Sequence, residues 1–322
     1  MRRALFYVSL LITGAAVVLQ GLGYVWHRPP EPLFYAILLI NYAPKWVWIL
    51  PAVILVLLSW KERLFYKGVG VLLLVFTVWM QDIQIKGMFS SPSATPDSMS
   101  VMTLNTGGAS AERVSRLVNV YKPDIIMLQE TREKTMKSLF NASWFTHCAA
   151  HICIASRFEM KLLDAYNRAA FSDWGSFAAA YEIMLAGKKI RLVNAHLETP
   201  RDALGGRPLL DYSESETDEF GFEKHTELSI LAALMDISYP AIIAGDLNTS
   251  VFEAAYQYHL GRYVNAIDAA ATGINYTKFT RWHGVRIDHV IANDNVIING
   301  AKVLEDTGGD HRAVLANFSI VE

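Results

Sequence analysis

The chain has 322 residues, of which 52% are hydrophobic, with a mean hydropathy of +0.22 and a net charge of −2, room for one large domain or two medium ones. The charge is uneven: residues 1–89 carry eight Lys/Arg against three Asp/Glu, and the remainder carries 21 against 28. A domain that tracks duplex nucleic acid through its phosphates usually presents a basic face, so the acidic larger part weighs against non-specific duplex binding.

Residues 5–26 form a run of 22 without a charge, flanked by Arg2 and Arg3 on one side and His27 and Arg28 on the other. That length spans a bilayer. A cleaved signal peptide is the alternative, but the run is long and no small-x-small cleavage site follows it, so it reads as a retained anchor. Two more apolar segments follow, giving predicted membrane segments at 4–26, 33–60 and 64–85 within a transmembrane region 1–89. The second is broken by Pro44 and Pro51: either one kinked span, or an interfacial piece (33–43) followed by a span (46–60). The third is short and relies on Lys67 reaching back to the interface. Arg2 and Arg3 and the loop Lys61, Arg63, Lys67 both favour the cytoplasmic side, which with three spans places the rest of the chain outside. Residues 90–100 (SSPSATPDSMS runs from 90) read as a Ser/Pro linker. Its reach of roughly 35 Å would let the following domain face the bilayer or turn from it.

In residues 101–322 the spacing predicts strands at 100–104, 124–128, 190–193, 241–244 and 287–292. It predicts helices at 111–121 and about 225–236. Residues 181–185 and 189–193 read as a hairpin joined through 186–188. The mixture suggests stacked sheets flanked by helices. Cys148 and Cys153 read as two partly buried thiols; a disulfide across a hairpin would require an oxidising compartment. Residues 211–227 carry seven acids against one lysine.

Polar motifs sit where these strands end: TLN (103–105), DIIMLQE (124–130), NAHL (194–197), GDLN (245–248), RIDH (286–289) and GDHR (309–312). Glu130 follows an apolar strand, and a carboxylate there suits a hard, oxygen-preferring cation. Asp246 and Asn248 stand at i and i+2 and share a face on an extended chain. The carboxylate is placed to orient a water and the amide to grip a phosphate oxygen. His196 and His311 are candidates for proton transfer or charge stabilisation, with Asp288 available to orient His311. His147, His151, His225, His259, His283 and His289 have no such context and read as structural.

This ordered set resembles the endonuclease/exonuclease/phosphatase superfamily, in its bacterial membrane-anchored branch. HICIASRFEM (151–160) is similar to that family's GVAILSR strand. The resemblance implies a four-layer α/β sandwich, here preceded by a helical transmembrane region, with a Mg²⁺ or Mn²⁺ site at a sheet edge. Carried onto this sequence, it implies that Asn105, Glu130 and Asp310 lie at the metal and that His196 contacts the phosphate or leaving group. It also implies that Asp246 orients the attacking water, Asn248 holds the phosphate and Asp288 pairs with His311. The family usually has SDHxP where this chain has GDHRA, so Gly309 replaces a serine. The function expected is a membrane-anchored, metal-dependent phosphoesterase of a bacterial inner or plasma membrane. Its partners would be the lipid bilayer and a phosphate ester, a lipid head group or a nucleic acid; no protein partner is implied. A membrane-tethered nuclease is the alternative, and an inactive binding module the second.

Overall fold

The computed structural model describes residues 1–27, 29–89, 98–171, 175–185, 187–204 and 214–321. Residues 90–97 of the expected linker and residues 205–213, which include the start of the acidic stretch 211–227, lie outside these.

The first apolar run forms α1 (Arg2–Val25), followed by α2 (Glu31–Tyr42), α3 (Ile49–Ser59) and α4 (Leu64–Trp79). Among the described residues only α1, with 24 residues, is long and apolar enough to cross a membrane by itself. The expected segment 33–60 is not straight: its two helices meet at 101° around the break before Lys45, where Ala43 and Pro44 interrupt the hydrogen-bond ladder. The 64–85 segment ends early, because the chain turns after Trp79 and Asp82 takes a left-handed φ of 58°.

Small and polar residues line the buried stripe of α1: Ser9, Thr13, Ala16, Gln20 and Gly23. Such small residues let helices approach closely. A Cβ on Gly23 would lie 2.7 Å from Ile37 Cγ2, and Gln20 Nε2 donates to Asn41 Oδ1 at 2.9 Å. The opposite faces expose Leu11, Leu57, Phe65, Leu72 and Val75. At one end of the bundle Arg2 donates to the Leu58 carbonyl and stands 3.8 Å from Glu62. At the other, Tyr24 meets Trp79, with ring centroids 5.8 Å apart.

The remaining chain builds two six-stranded sheets. The strands are β1 (Met99–Asn105), β2 (Ile125–Gln129), β3 (Phe145–Ala149), β4 (Ile152–Ser156), β5 (Met160–Asn167), β6 (Ser176–Leu185), β7 (Lys188–His196), β8 (Ala241–Asp246), β9 (Val264–Asn265), β10 (Lys278–Phe279), β11 (Asp288–Ala292), β12 (Val296–Asp306) and β13 (Arg312–Ile320). One sheet has the order β12-β13-β1-β2-β4-β3 and the other β9-β11-β8-β7-β6-β5, while β10 stands apart in a small ribbon. Their facing sides share one apolar core, including Val101, Ile125, Tyr181, Leu192, Ile242 and Phe318. Helix α5 (Ala111–Tyr121) covers the outer face of the first sheet through Val114, Leu117 and Val118. Helices α6 (Glu214–Met235) and α7 (Ala254–Leu260) cover the second through Leu228, Leu231, Tyr256 and Leu260. This is the expected sandwich of stacked sheets with helices on both outer faces.

Two expectations are corrected. The helix placed at about 225–236 begins at Glu214, because the acidic stretch before it continues the helical turn. The two cysteines are not thiols: Cys148 and Cys153 face each other across the β3–β4 ladder and form a disulfide.

The helical region packs directly on this sandwich. Ile83 pairs with Ile274 in a short antiparallel ladder, and the Trp79 ring meets Phe252 edge-on at 4.8 Å. Arg286 of the RIDH motif is 1% exposed and holds Asp82 through two hydrogen bonds, at 2.7 and 2.9 Å, and Asp268 at 2.7 Å.

Candidate active site

Strand register assembles the site. In the second sheet His196 on β7 pairs with Asp246 on β8, and Asp246 with Asp288 on β11, so three of the sequence-predicted residues stand in one cross-strand row. In the first sheet Asn105 ends β1 opposite Gln129, and the chain then turns at Glu130 with φ 52°. The two rows meet through Asn105, whose Nδ2 donates to Glu130 Oε1 at 2.9 Å and to Asp246 Oδ2 at 3.0 Å. Beneath them Gln129 Nε2 donates to Asn194 Oδ1 at 2.7 Å, and Asn194 Nδ2 to the Cys153 carbonyl at 2.8 Å. Asn194 of the NAHL motif thus stitches the sheets together under the site.

His311 lies just before β13, with Nδ1 2.9 Å from Asp288 Oδ2 and Nε2 3.6 Å from Asp246 Oδ2. Asn248 follows β8 with φ 43°, an αL conformation that asparagine tolerates. Its N–H donates to Asp246 Oδ1 at 2.9 Å and its Nδ2 to the Leu197 carbonyl at 2.9 Å. His196 Nε2 stands 3.9 Å from Glu130 Oε1 and 3.8 Å from Asp246 Oδ2. Asp310 is half exposed on the rim, bound to Lys278 at 2.7 Å. A pocket of about 110 Å³ opens over Asn105, Glu130, His196, Asp246 and His311. All eight sequence-predicted residues therefore fall in one neighbourhood.

The electrostatics separate the two buried carboxylates. Burial pushes Asp246 up, but the His311 and His196 imidazoles, the Asn105 amide and the Asn248 N–H outweigh it and hold the carboxyl below its usual range. Asp288 is pushed up by burial and by the like charge of Asp246, against the pull of His311. Burial alone would lower His311; the charge and hydrogen bond of Asp288 reverse this and raise it to about 9. His196 is lowered, chiefly by burial. Pairs of titratable groups driven apart in this way mark acid–base machinery.

The donors fit a hard divalent cation. The Glu130 and Asp246 carboxylates and the Asn105 amide supply oxygens to the pocket, and both cysteines are taken up in the disulfide, so no thiolate is present. Glu130 and Asp310 are each about half exposed, at 48% and 50% of the side chain, leaving room for the waters that Mg²⁺ retains. Ligand atoms of Asp246, Asp288 and His311 also lie within 4.8 Å of one another. The direct Asp288–His311 hydrogen bond explains that proximity without an ion.

Lys278 and Arg168 are among the pocket residues that escaped sequence reasoning, as are Glu198, Thr199 and Arg201. Lys278 on β10 places Nζ 2.9 Å from His311 Nε2, and Arg168 donates to the His196 carbonyl at 2.8 Å and to Glu227 Oε1 at 3.0 Å. Neither belongs to a motif; alternation around Lys278 was the only available signal. Of the histidines read as structural, His151 packs against the His196 ring at 5.3 Å. His289 is buried between Asn265 and the Thr249 carbonyl.

The sequence profile of the Endonuclease/Exonuclease/phosphatase family matches residues 102–311. No curated protein sequence matches the chain. Among solved structures, a D. rerio TDP2 humanized by 14 mutations is similar, with a TM-score of 0.55 and 16% identity, covering 69% of this chain and 99% of that one. D. rerio TDP2 complexed with single strand DNA product is similar at TM-score 0.54 and 15% identity, covering 69% and 99%. A family protein from Bacteroides vulgatus is similar at TM-score 0.53 and 17% identity, covering 69% and 99%. At these identities the likeness is one of fold.

Proposed function

The chain belongs to the endonuclease/exonuclease/phosphatase family, and from that premise we propose that it is a membrane-anchored, divalent-metal-dependent phosphoesterase that hydrolyses a phosphodiester or phosphomonoester with water. The observation that carries this reading is the convergence of Asn105, Glu130, His196, Asp246 and His311 on one open pocket.

Asp246, held deprotonated, orients the attacking water and draws its proton. His311, held protonated by Asp288, stabilises the negative charge that grows on the phosphoryl oxygens. The remaining amide hydrogen of Asn248 is free to meet a phosphate oxygen, and His196 stands on the leaving-group side. Asn105, Glu130 and Asp310 would hold the cation; a bound Mg²⁺ or Mn²⁺ supplies Lewis-acid polarisation of the phosphate. Lys278 and His311 press two basic groups together at 2.9 Å, a crowding that an incoming phosphate would relieve.

The exposed apolar faces of α1, α3 and α4 support membrane insertion, since soluble monomers rarely expose large contiguous apolar patches. Arg2 and the loop at Glu62 share one end of the bundle, while the sandwich sits at the other, beside Trp79. With the basic end inside, the catalytic part is extracytoplasmic. The Cys148–Cys153 disulfide supports the same side. The favoured substrate is a lipid head group or another small phosphate ester. A nuclease is the second reading, because a structural neighbour is complexed with single strand DNA product.

The test is a substrate panel of phospholipids, sphingomyelin, RNA and single- and double-stranded DNA on the full chain, with Mg²⁺ or Mn²⁺ added or chelated. Chelation is expected to abolish hydrolysis, and Asp246→Asn to reduce turnover by on the order of 10²–10⁴-fold. Near-native turnover in that variant would sink the assignment. Steep loss of binding with salt would favour the nuclease; dependence on bilayer surface would favour the lipid substrate.

A further inference from the structure

Tyr42, the last residue of α2, reaches from the helical region to the turn that follows β8. Its hydroxyl lies 2.7 Å from the Asn248 carbonyl oxygen and 2.7 Å from Glu253 Oε1. Lys224 on α6 donates to the same carbonyl at 2.9 Å and to Glu253 Oε2 at 3.2 Å. The hydroxyl has a single proton to share between two oxygens, and the ammonium supplies the rest. Tyr42 is itself anchored, because its own carbonyl accepts from His283 Nε2 at 2.7 Å.

The group so held is central to the pocket. Asn248 sits in the αL region, which asparagine tolerates but does not adopt by default, so contacts on both sides of it fix that conformation. Its N–H bonds Asp246 Oδ1, while its carbonyl takes Tyr42 and Lys224. The carbonyl and the N–H belong to successive peptide units joined at the Asn248 Cα, so loosening the carbonyl side frees the backbone dihedrals that aim the N–H at the Asp246 carboxylate.

We propose that Tyr42 is a positioning residue: its hydroxyl clamps the Asn248 carbonyl and so makes turnover depend on docking of the helical region. The proposal rests on the reading of Asp246 and Asn248 as catalytic. It implies that the helices are part of the active-site scaffold as well as an anchor. An oriented carboxylate matters most in the transition state, so the effect belongs in kcat rather than KM.

The experiment uses the full chain in detergent, with bis-p-nitrophenyl phosphate and Mg²⁺ as probe. Tyr42→Phe keeps the ring and removes the hydroxyl; kcat is expected to fall roughly 10-fold, with KM within about threefold of native and an unchanged melting temperature. Lys224→Met should show a similar loss, and the double variant less than the product of the two, because both serve one carbonyl. Tyr276→Phe removes a different bond of the same interface, to the Gln81 carbonyl, and should leave kcat unchanged. A Tyr42→Phe kcat within about twofold of native overturns the proposal. Should that variant fail to fold, native kcat in Lys224→Met overturns it. Asp246→Asn runs alongside: activity there defeats the catalytic reading itself, whereas a dead Asp246→Asn beside a fully active Tyr42→Phe defeats only the clamp.

Discussion

Glu227 shows how far a single buried charge is involved in shaping the site. It is fully buried, receives Arg168 Nε at 3.0 Å and the Glu198 N–H at 2.8 Å, and through Arg168 it steadies the carbonyl of His196. Burial outweighs these partners and lifts its carboxyl to about 7. A carboxyl raised on folding binds its proton more tightly in the native state than in the unfolded one. Its stabilising contribution is therefore full below the unfolded value, about 4.3, and is lost as pH rises to about 7. Denaturation midpoints measured from pH 5 to 8 should carry that downward component, and Glu227→Gln, with a neutral amide in the same place, should flatten it. An unchanged slope in the variant would show that Arg168 keeps the carboxylate ionised throughout. Glu227 was not legible as a special residue in the sequence, because it sits among the acids of 211–227 and only its packing distinguishes it. Asp246 and His311 were legible because a polar residue at the end of an apolar strand has few bland explanations once several coincide.

The two loops that carry the residues proposed to hold the metal are held by glycine contacts. A Cβ on Gly309 would lie 2.5 Å from the Gly107 carbonyl oxygen and 3.0 Å from the Ala109 nitrogen. A Cβ on Gly107 would in turn lie 2.5 Å from Glu130 Oε2. The serine usual at position 309 in the family therefore has no room here, and His311 is held without it through the Nδ1 bond to Asp288. Gly309→Ser should force the loop at Gly107 outward, costing about 1–3 kcal/mol for overpacking and weakening metal dependence through Glu130. Thermal melts and a Mg²⁺ titration of activity check this; a native melting temperature with native metal affinity would refute the contact. The motif order revealed which strand ends meet, since period-2 alternation and polar termini are local signals. It could not reveal the Gly107–Gly309 approach or the placement of Lys278, because both depend on how loops from distant parts of the chain fold over the sheet edge.

At the scale of the molecule, a hydrophobicity profile separates the helices from the sandwich, while the contacts join them. RIDH reads as one catalytic motif, yet its residues divide: Asp288 faces His311, and Arg286 turns away to hold Asp82 beyond α4. An Arg that is 1% exposed is stabilised only while its carboxylates are present. Breaking a buried pair by removing one partner typically costs about 3–5 kcal/mol, whereas replacing both by apolar groups of similar size is often close to neutral. Asp82→Ala in the full chain should therefore destabilise the sandwich strongly, while Asp82→Leu combined with Arg286→Met should recover most of the loss, Asp268 being left at the surface with 40% of its side chain exposed. Chemical denaturation in detergent, followed for each variant beside the native chain, measures both. Equal midpoints for Asp82→Ala and the native chain would mean that the Asp82–Arg286 pair adds nothing to the coupling, leaving it to the Trp79–Phe252 contact, the Ile83–Ile274 ladder and the Tyr42 and Tyr276 hydrogen bonds.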